Sequence, residues 1–199
     1  MIQVHGGFAA TWARLYPEAL SQVNAALATH NVSRIVSTGH SLGSAVAMLD
    51  TLALRNDVDA VPIENIGFGS PRVFNSIGAR LVDQLLKNFR SNVTSHHVHH
   101  NGDLITHLGP LILGFSHSID EVFLPDNSTN AMATALSCPG YENVRCSNSR
   151  ALKLPVTLNQ DDHKGPYLGQ LLGRNDAFQC YQSADYAAAG LAVPIAAAA

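Results

Sequence analysis

The stretch Gly39-His40-Ser41-Leu42-Gly43 constrains this chain more than any other part of it. It follows the apolar run Arg34-Ile35-Val36-Ser37-Thr38 and precedes the small-residue, helix-compatible segment Ser44-Ala45-Val46-Ala47-Met48-Leu49. Strand, G-x-S-x-G, then helix is the order that a nucleophile elbow requires. A strand-to-helix turn this sharp brings backbone close to Cα, so neither glycine is expected to have room for a Cβ. The turn would lift the Ser41 hydroxyl off the sheet to a helix N-terminus. There the helix dipole and the free N–H groups favour developing negative charge. The pentapeptide alone also fits an ordinary Gly-Ser turn; its flanks favour the nucleophile.

A chain of 199 residues suffices for one domain with a substantial core. Net charge is -3 and no Lys/Arg cluster occurs, which argues against nucleic acid or anionic membranes as partners. No apolar run reaches spanning length, and the chain opens without a signal-peptide pattern. Sequons at Asn31, Asn92 and Asn127 nevertheless suggest glycosylation outside the cell. Cys138 and Cys146 bracket a loop with Pro139-Gly140, a spacing that suits a local disulfide in an oxidising compartment. Cys180 is left over, either as a free buried thiol or with a partner outside this sequence.

Phe8, Trp12, Leu15, Leu20, Val23 and Leu27 recur at helical spacing and predict an amphipathic helix over 8–29, with Pro17 an irregularity. Periodicity then predicts a strand at 33–38, a helix at 43–55 and a strand at 62–69 with a turn at Ser70-Pro71-Arg72. A helix at 74–89, carrying Ile77, Leu81, Leu85 and Leu86, and a strand at 93–99 follow. This alternation is the signature of an α/β fold, a mostly parallel sheet flanked by helices. Later, 115–124 alternates like a strand, 126–152 is polar and cysteine-bearing, and 163–173 has room for a short helix. Residues 1–186 read as one domain and 187–199 as a low-complexity Ala-rich tail.

A serine nucleophile needs a base within hydrogen-bond reach and an acid that fixes the base's tautomer. The hydrolase order is Ser, then Asp or Glu, then His. Asp103 leads as the acid, because Asn101-Gly102-Asp103 lies just past a predicted strand, where parallel sheets carry their functional loops. An Asp there is also a common turn former. Of ten histidines, only His107, His117 and His163 lie late enough to be the base. His107 is too near Asp103, and His117 falls inside a predicted strand, which suits a structural role. His163 leads, in a polar loop from which a mobile imidazole could reach across. The cluster His96-His97-Val98-His99-His100 invites a metal reading. On a strand, however, His96 and His100 face one way and His97 and His99 the other, short of the three ligands a catalytic zinc needs.

Val4-His5-Gly6-Gly7-Phe8, Gly39-His40-Ser41-Leu42-Gly43 and Gly67-Phe68-Gly69-Ser70-Pro71-Arg72-Val73 together resemble the fungal class 3 lipases in identity, order and spacing. Asn101 through Pro110 is similar to that family's catalytic-aspartate loop, and Gly114-Phe115-Ser116-His117 through Glu121-Val122-Phe123 to the segment after it. Asp162-His163 matches its catalytic-histidine position, and Cys138-Pro139-Gly140 through Cys146 its disulfide loop in basidiomycete-type members. The resemblance covers roughly residues 1–180. It implies an α/β-hydrolase fold with the triad Ser41, Asp103 and His163, and it makes His117 structural.

The resemblance also implies parts that this sequence lacks. Family members carry an upstream strand ending in Arg-Gly-Ser or Arg-Gly-Thr, which supplies an oxyanion donor, and a lid helix. They also carry an N-terminal cysteine that would pair Cys180. The chain therefore reads as N-terminally truncated, and its own turnover is expected to be poor. The implied reaction is carboxylic-ester hydrolysis through an acyl-enzyme, most like that of a triacylglycerol lipase, with the Leu42 backbone N–H as one oxyanion donor. No metal or organic cofactor is implied, and no stable protein partner. A lipid–water interface and secretion are. Two other readings stay open: a feruloyl (cinnamoyl) esterase, separable by methyl ferulate turnover, and a catalytically dead binding protein, separable by any ester assay.

Overall fold

The computed structural model describes residues 1–88, 93–126, 134–152 and 157–172. The Ala-rich tail, Cys180, Asn92 and Asn127 lie outside these residues, whereas Asn31 is exposed after the first helix. The element order is α1 Gly6–Thr29, β1 Ile35–His40, α2 Leu42–Asp57, β2 Ile63–Phe68, β3 Phe74–Asn75, α3 Ser76–Asn88 and β4 Val93–His100. Then come β5 Phe115–Ser116, β6 Glu121–Leu124, β7 Leu136–Cys138 and a short helix Asn148–Leu152. One sheet runs β1-β2-β4-β6-β7, parallel from β1 to β6 and closed by antiparallel β7.

Parallel neighbours need crossovers, and α2 and α3 supply them, each laying an apolar stripe on the sheet. Gly67 lets α2 approach closely: a Cβ there would sit 2.5 Å from Ser44 Oγ. The largest core cluster joins Ala45, Met48 and Leu49 of α2 to Ala79, Val82 and Leu86 of α3, with Phe8 and Trp12 of α1 against it. Fully burying a side chain such as Met48 contributes about 2 kcal/mol relative to exposure. A second cluster packs Tyr16, Leu20, Val23, Leu27 and Ile35 around Leu54, Val58 and Ile63.

Several periodicity readings shift in register. In α1 the inward stripe runs through Tyr16, while Leu15 is exposed, because one residue is 100° of helix rotation. In α3 the stripe is Ala79, Val82 and Leu86, and Ile77 and Leu81 face outward. The expected strand at 115–124 is two strands. β5 pairs antiparallel with β3, and β6 enters the main sheet beside β4, with Ile119 at φ 66° in the bend between them. His117 therefore sits in a connection, not in a strand. The polar stretch 126–152 hides β7 and the short helix. Within the described residues of the expected helix at 163–173, the chain forms a 3-10 turn, Asp161–Lys164, and a tight bridge between Tyr167 and Gln170, while residue 173 lies outside them. On β1, Val36 is exposed, whereas Ile35 is half-buried in the second cluster.

Cys138 and Cys146 are bonded, with Cα atoms 6.3 Å apart, and both are buried against Phe123 of β6. The bridge thus ties the loop after β7 to the sheet.

Candidate active site

Strands β1, β2 and β4 run in register, His40 beside Phe68 and Phe68 beside Val98, so the loops leaving their carboxyl ends lie side by side. Those loops carry Ser41, Gly69 and Asp103 respectively. Open parallel sheets place functional residues at this edge.

Ser41 has φ 60° and ψ -127°, a backbone conformation that costs a non-glycine residue on the order of 1–3 kcal/mol. Its surroundings impose it. The Ser41 N–H donates to Phe68 O at 3.0 Å, and the Ser41 carbonyl accepts from Ser44 N at 3.0 Å. Gly39 lies under the turn: a Cβ there would meet the Gly43 carbonyl and come within 2.7 Å of Ser44 N. Gly43 differs from expectation: a Cβ there would find nothing within 4 Å, and its φ is not positive. A side chain at 43 would enter open space, so only the first glycine of the motif is sterically required. Leu42 opens α2, where backbone N–H groups have no carbonyl within the helix to bond.

Asp103 is 1% exposed, in a turn that follows β4. Its Oδ1 accepts from Ile105 N at 2.8 Å. Its Oδ2 lies 2.9 Å from His163 Nδ1 and accepts from the Tyr167 hydroxyl at 3.0 Å. A carboxylate only accepts, so His163 carries its proton on Nδ1 and leaves the Nε2 lone pair free. Burial, and then the Asp103 charge, hold the Tyr167 phenol well above its ordinary pKa, so it remains a donor.

The polar composition around His163 suggests a mobile loop; the structure pins it. Asp162 is buried, and its Oδ2 accepts from Gly102 N at 2.9 Å and from Asn159 Nδ2 at 2.7 Å. The Asp162 carbonyl accepts from His100 Nδ1 at 2.8 Å. Asn159 N donates to Gly102 O, and Leu104 N to Asn159 O. The loop of His163 is thus laced to the turn of Asp103. Gly69, at φ 56°, makes room for the group: a Cβ would sit 2.7 Å from Tyr167 Oη, 2.9 Å from Asp103 Oδ2 and 3.1 Å from His163 Cε1. Among the described residues Ser41 Oγ has no hydrogen bond. The His40 ring, next to Ser41, stacks on that of His163 with centroids 4.4 Å apart. Asp103 and His163 are thus joined directly, and Ser41 follows the histidine that stacks on His163.

The roles of three contributors were not legible in the sequence. Tyr167 lacks a motif of its own. Asp162 reads as part of a polar loop and as the neighbour of His163 in the resemblance, with no role of its own. Arg72, placed in a turn and within the Gly67–Val73 segment of the resemblance but given no role, is 2% exposed and forms a hub. Its guanidinium donates twice to Glu142 at 2.8 Å, to the carbonyls of His107 and Gly109, and to Asn148 Oδ1. It thereby clamps the segment after Asp103 to the disulfide loop. The signal was the position of an arginine directly after Gly-Ser-Pro in an otherwise apolar stretch. At the other end of that stretch, His5 N donates to Val73 O at 2.9 Å, which joins the Val-His-Gly-Gly-Phe segment to it.

His97, His99 and His117 form a buried group. His97 and His99 share one face of β4, their rings 5.9 Å apart, and His117 packs 4.7 Å from His99. His117 Nε2 donates to Thr106 O at 2.8 Å, and Thr106 Oγ1 donates to Asp103 O at 2.9 Å. His117 therefore supports the Asp103 turn from behind. His99 Nδ1 lies 3.2 Å from Glu121 Oε1, and His96 is exposed. Among the described residues the one compact set of metal-capable groups is Glu121, Cys138 and Cys146, whose two sulfurs are consumed by the disulfide.

Burial, and then the neighbouring His99, push His97 down to about 3. Burial, and then Arg72, push His107 to about 4. Burial, and then His99 and His97, hold His117 well below its ordinary value. Unfolded, each would titrate near 6.5, so between that pH and the folded values the unfolded chain binds more protons. Stability is fully present above about pH 6.5 and falls as pH drops through that window, by about 1 kcal/mol per pH unit for each such histidine. Urea midpoints should fall from pH 7 to pH 4.5, and His97→Gln should flatten that slope. An equal slope in the variant would remove His97 from the account.

A family model described as Lipase (class 3) matches residues 1–112. A secreted mono- and diacylglycerol lipase of Fusarium solani is 31% identical over 147 residues, 72% of this chain and 42% of that protein. A second secreted mono- and diacylglycerol lipase, from Malassezia globosa, is 30% identical over 172 residues, 86% of this chain and 52% of its own length. The chain spans about half the length of the curated relatives it matches. Among solved structures, a lipase from Rhizopus microsporus var. chinensis superposes with a TM-score of 0.74 at 25% identity, over 86% of this chain and 56% of that one. The triacylglyceride lipase of Rhizomucor miehei gives 0.72 at 25%, over 86% and 61%. These are α/β-hydrolase neighbours of a sheet built in the same way. The chain belongs to the class 3 lipase family.

Proposed function

We propose that this chain carries the hydrolytic centre of a secreted carboxylic-ester hydrolase that acts on acylglycerols through Ser41, His163 and Asp103. The observation that carries the reading is the Asp103–His163 pair, with a free Nε2, set beside a serine held at a strained strand-to-helix turn. His163 Nε2 takes the Ser41 hydroxyl proton as Oγ attacks the ester carbonyl. Asp103, held by Ile105 N–H and the Tyr167 hydroxyl, stabilises the imidazolium without itself taking the proton. The Leu42 N–H at the head of α2 donates to the oxyanion. His163 then protonates the departing alcohol. Water repeats the cycle and releases the acid.

Two observations favour an apolar acyl chain. The relatives are named for mono- and diacylglycerols and triacylglycerides. The segment after Asp103 exposes Leu104, Leu108, Leu111, Ile112 and Leu113. Secretion is supported by the names of the relatives and by the disulfide, which persists in oxidising compartments.

The test is a fluorophosphonate probe followed by peptide mapping, together with turnover of p-nitrophenyl esters of rising chain length and of methyl ferulate. Labelling confined to Ser41, and longer acyl esters preferred to methyl ferulate, are expected. Labelling elsewhere, or none in protein that is folded by circular dichroism, would sink the assignment.

A further inference from the structure

His40 has no part in the scheme above, yet it touches the base twice. Its Nε2 lies 2.8 Å from the backbone oxygen of His163. A carbonyl only accepts, so His40 carries its proton on Nε2 and donates. Its ring also stacks on the His163 ring, centroids 4.4 Å and planes 28° apart, while Tyr167 meets it edge-on at 5.7 Å. His40 is the last residue of β1, directly before Ser41, so it moves with the nucleophile's backbone. One half-buried side chain therefore bridges the two partners that lack a direct bond.

We propose that His40 is a positioning residue that holds His163 in register with Ser41, chiefly through its Nε2–H bond to the His163 carbonyl and secondarily through ring stacking. The inference rests on the serine-hydrolase reading given above. Asp103 sets the tautomer of His163, but one Nδ1···Oδ2 bond leaves the imidazole free to pivot about it. The carbonyl anchor removes that freedom from the backbone side and the stacked ring removes it from the face. The titratable groups that face His40 are His163, Asp103 and Tyr167. Burial lowers the pKa of His40; the carbonyl bond opposes this, a charged His163 adds to it and Asp103 opposes it. His40 is thus a neutral aromatic face when His163 becomes cationic, a favourable pairing.

Three variants separate the two contacts: His40→Ala removes both, His40→Gln keeps an N–H donor at the reach of Nε2, and His40→Phe keeps the ring. The first readout needs no turnover. It is the low-field proton resonance of His163 Nδ1–H, identified by its loss in Asp103→Asn. His40→Ala should abolish this signal, His40→Gln should restore it and His40→Phe should not. In the ester assay His40→Ala should lower kcat about 10- to 10²-fold, the scale of a 1 Å misplacement, with KM changed less than about twofold. A wild-type signal in His40→Ala, or restoration by Phe but not Gln, overturns the proposal. If His40→Ala does not fold, the Gln–Phe comparison decides. Ester turnover that survives Ser41→Ala sinks the hydrolase reading and this inference with it. Turnover that depends on Ser41 but is indifferent to His40→Ala sinks this inference alone.

Discussion

Ser41→Ala and His163→Ala are each expected to lower ester turnover about 10⁴- to 10⁶-fold, and Asp103→Asn about 10⁴-fold. The effects are expected to be large because the proposed mechanism makes the three groups one unit: in it, no acyl-enzyme forms without Oγ, and the hydroxyl keeps its proton without Nε2. With Asn at 103 the bond that specifies Nδ1–H is no longer guaranteed, and the wrong tautomer points its proton at Ser41. The combined variant should be little worse than either single one, since removing a second member of a broken relay costs almost nothing further. His117→Ala provides the contrast. Its imidazole bonds Thr106 O and packs on His99, and it is bonded to neither Ser41 nor His163, so its loss should lower the thermal midpoint while most turnover remains in folded protein. If His117→Ala abolishes turnover and His163→Ala does not, the base has been misassigned.

Gly39→Ala should be strongly damaging, whereas Gly43→Ala should be close to silent. At position 39 the new Cβ would run into the Gly43 carbonyl and crowd Ser44 N, all of it backbone that cannot rotate away. Relief requires the head of α2 to lift off β1. That would move Ser41 and break its N–H bond to Phe68 O. A displacement of about 1 Å at the nucleophile costs on the order of 10²-fold. Separation of α2 from the sheet would also open the Ala45–Met48–Leu49 cluster, at a cost of the few kcal/mol typical of core overpacking. At position 43 a Cβ meets open space, and alanine is the better helix former by about 1 kcal/mol. Soluble yield, melting and turnover of both variants test this. Equal behaviour would show that the elbow tolerates a backbone shift the geometry forbids.

The sequence alone determined the alternation of strands and helices up to His100, because two periods, 2 and 3.6, are written directly in the spacing of apolar residues. It also determined which residues compete for the site. Ser41 stood out by its pentapeptide, Asp103 by its place after a strand, and His163 by chain order. The resemblance of several segments in register then selected among the histidines. The cysteine pairing was legible too, since a short loop with Pro139-Gly140 leaves few alternatives.

Tertiary structure decided the rest, for a reason common to each case. The split of 115–124 into β5 and β6 depends on two different partners, β3 and β4, and strand pairing is not encoded in the strand that is paired. The freedom of Gly43 and the confinement of Gly39 follow from which side of the turn faces the sheet, which the symmetrical motif does not distinguish. Arg72, Asp162 and Tyr167 matter through bonds to residues 70, 60 and 64 positions away. Such contacts have no local period. They exist only once the carboxyl ends of β1, β2 and β4 are brought side by side, because a buried polar group is defined by the partner the fold delivers to it.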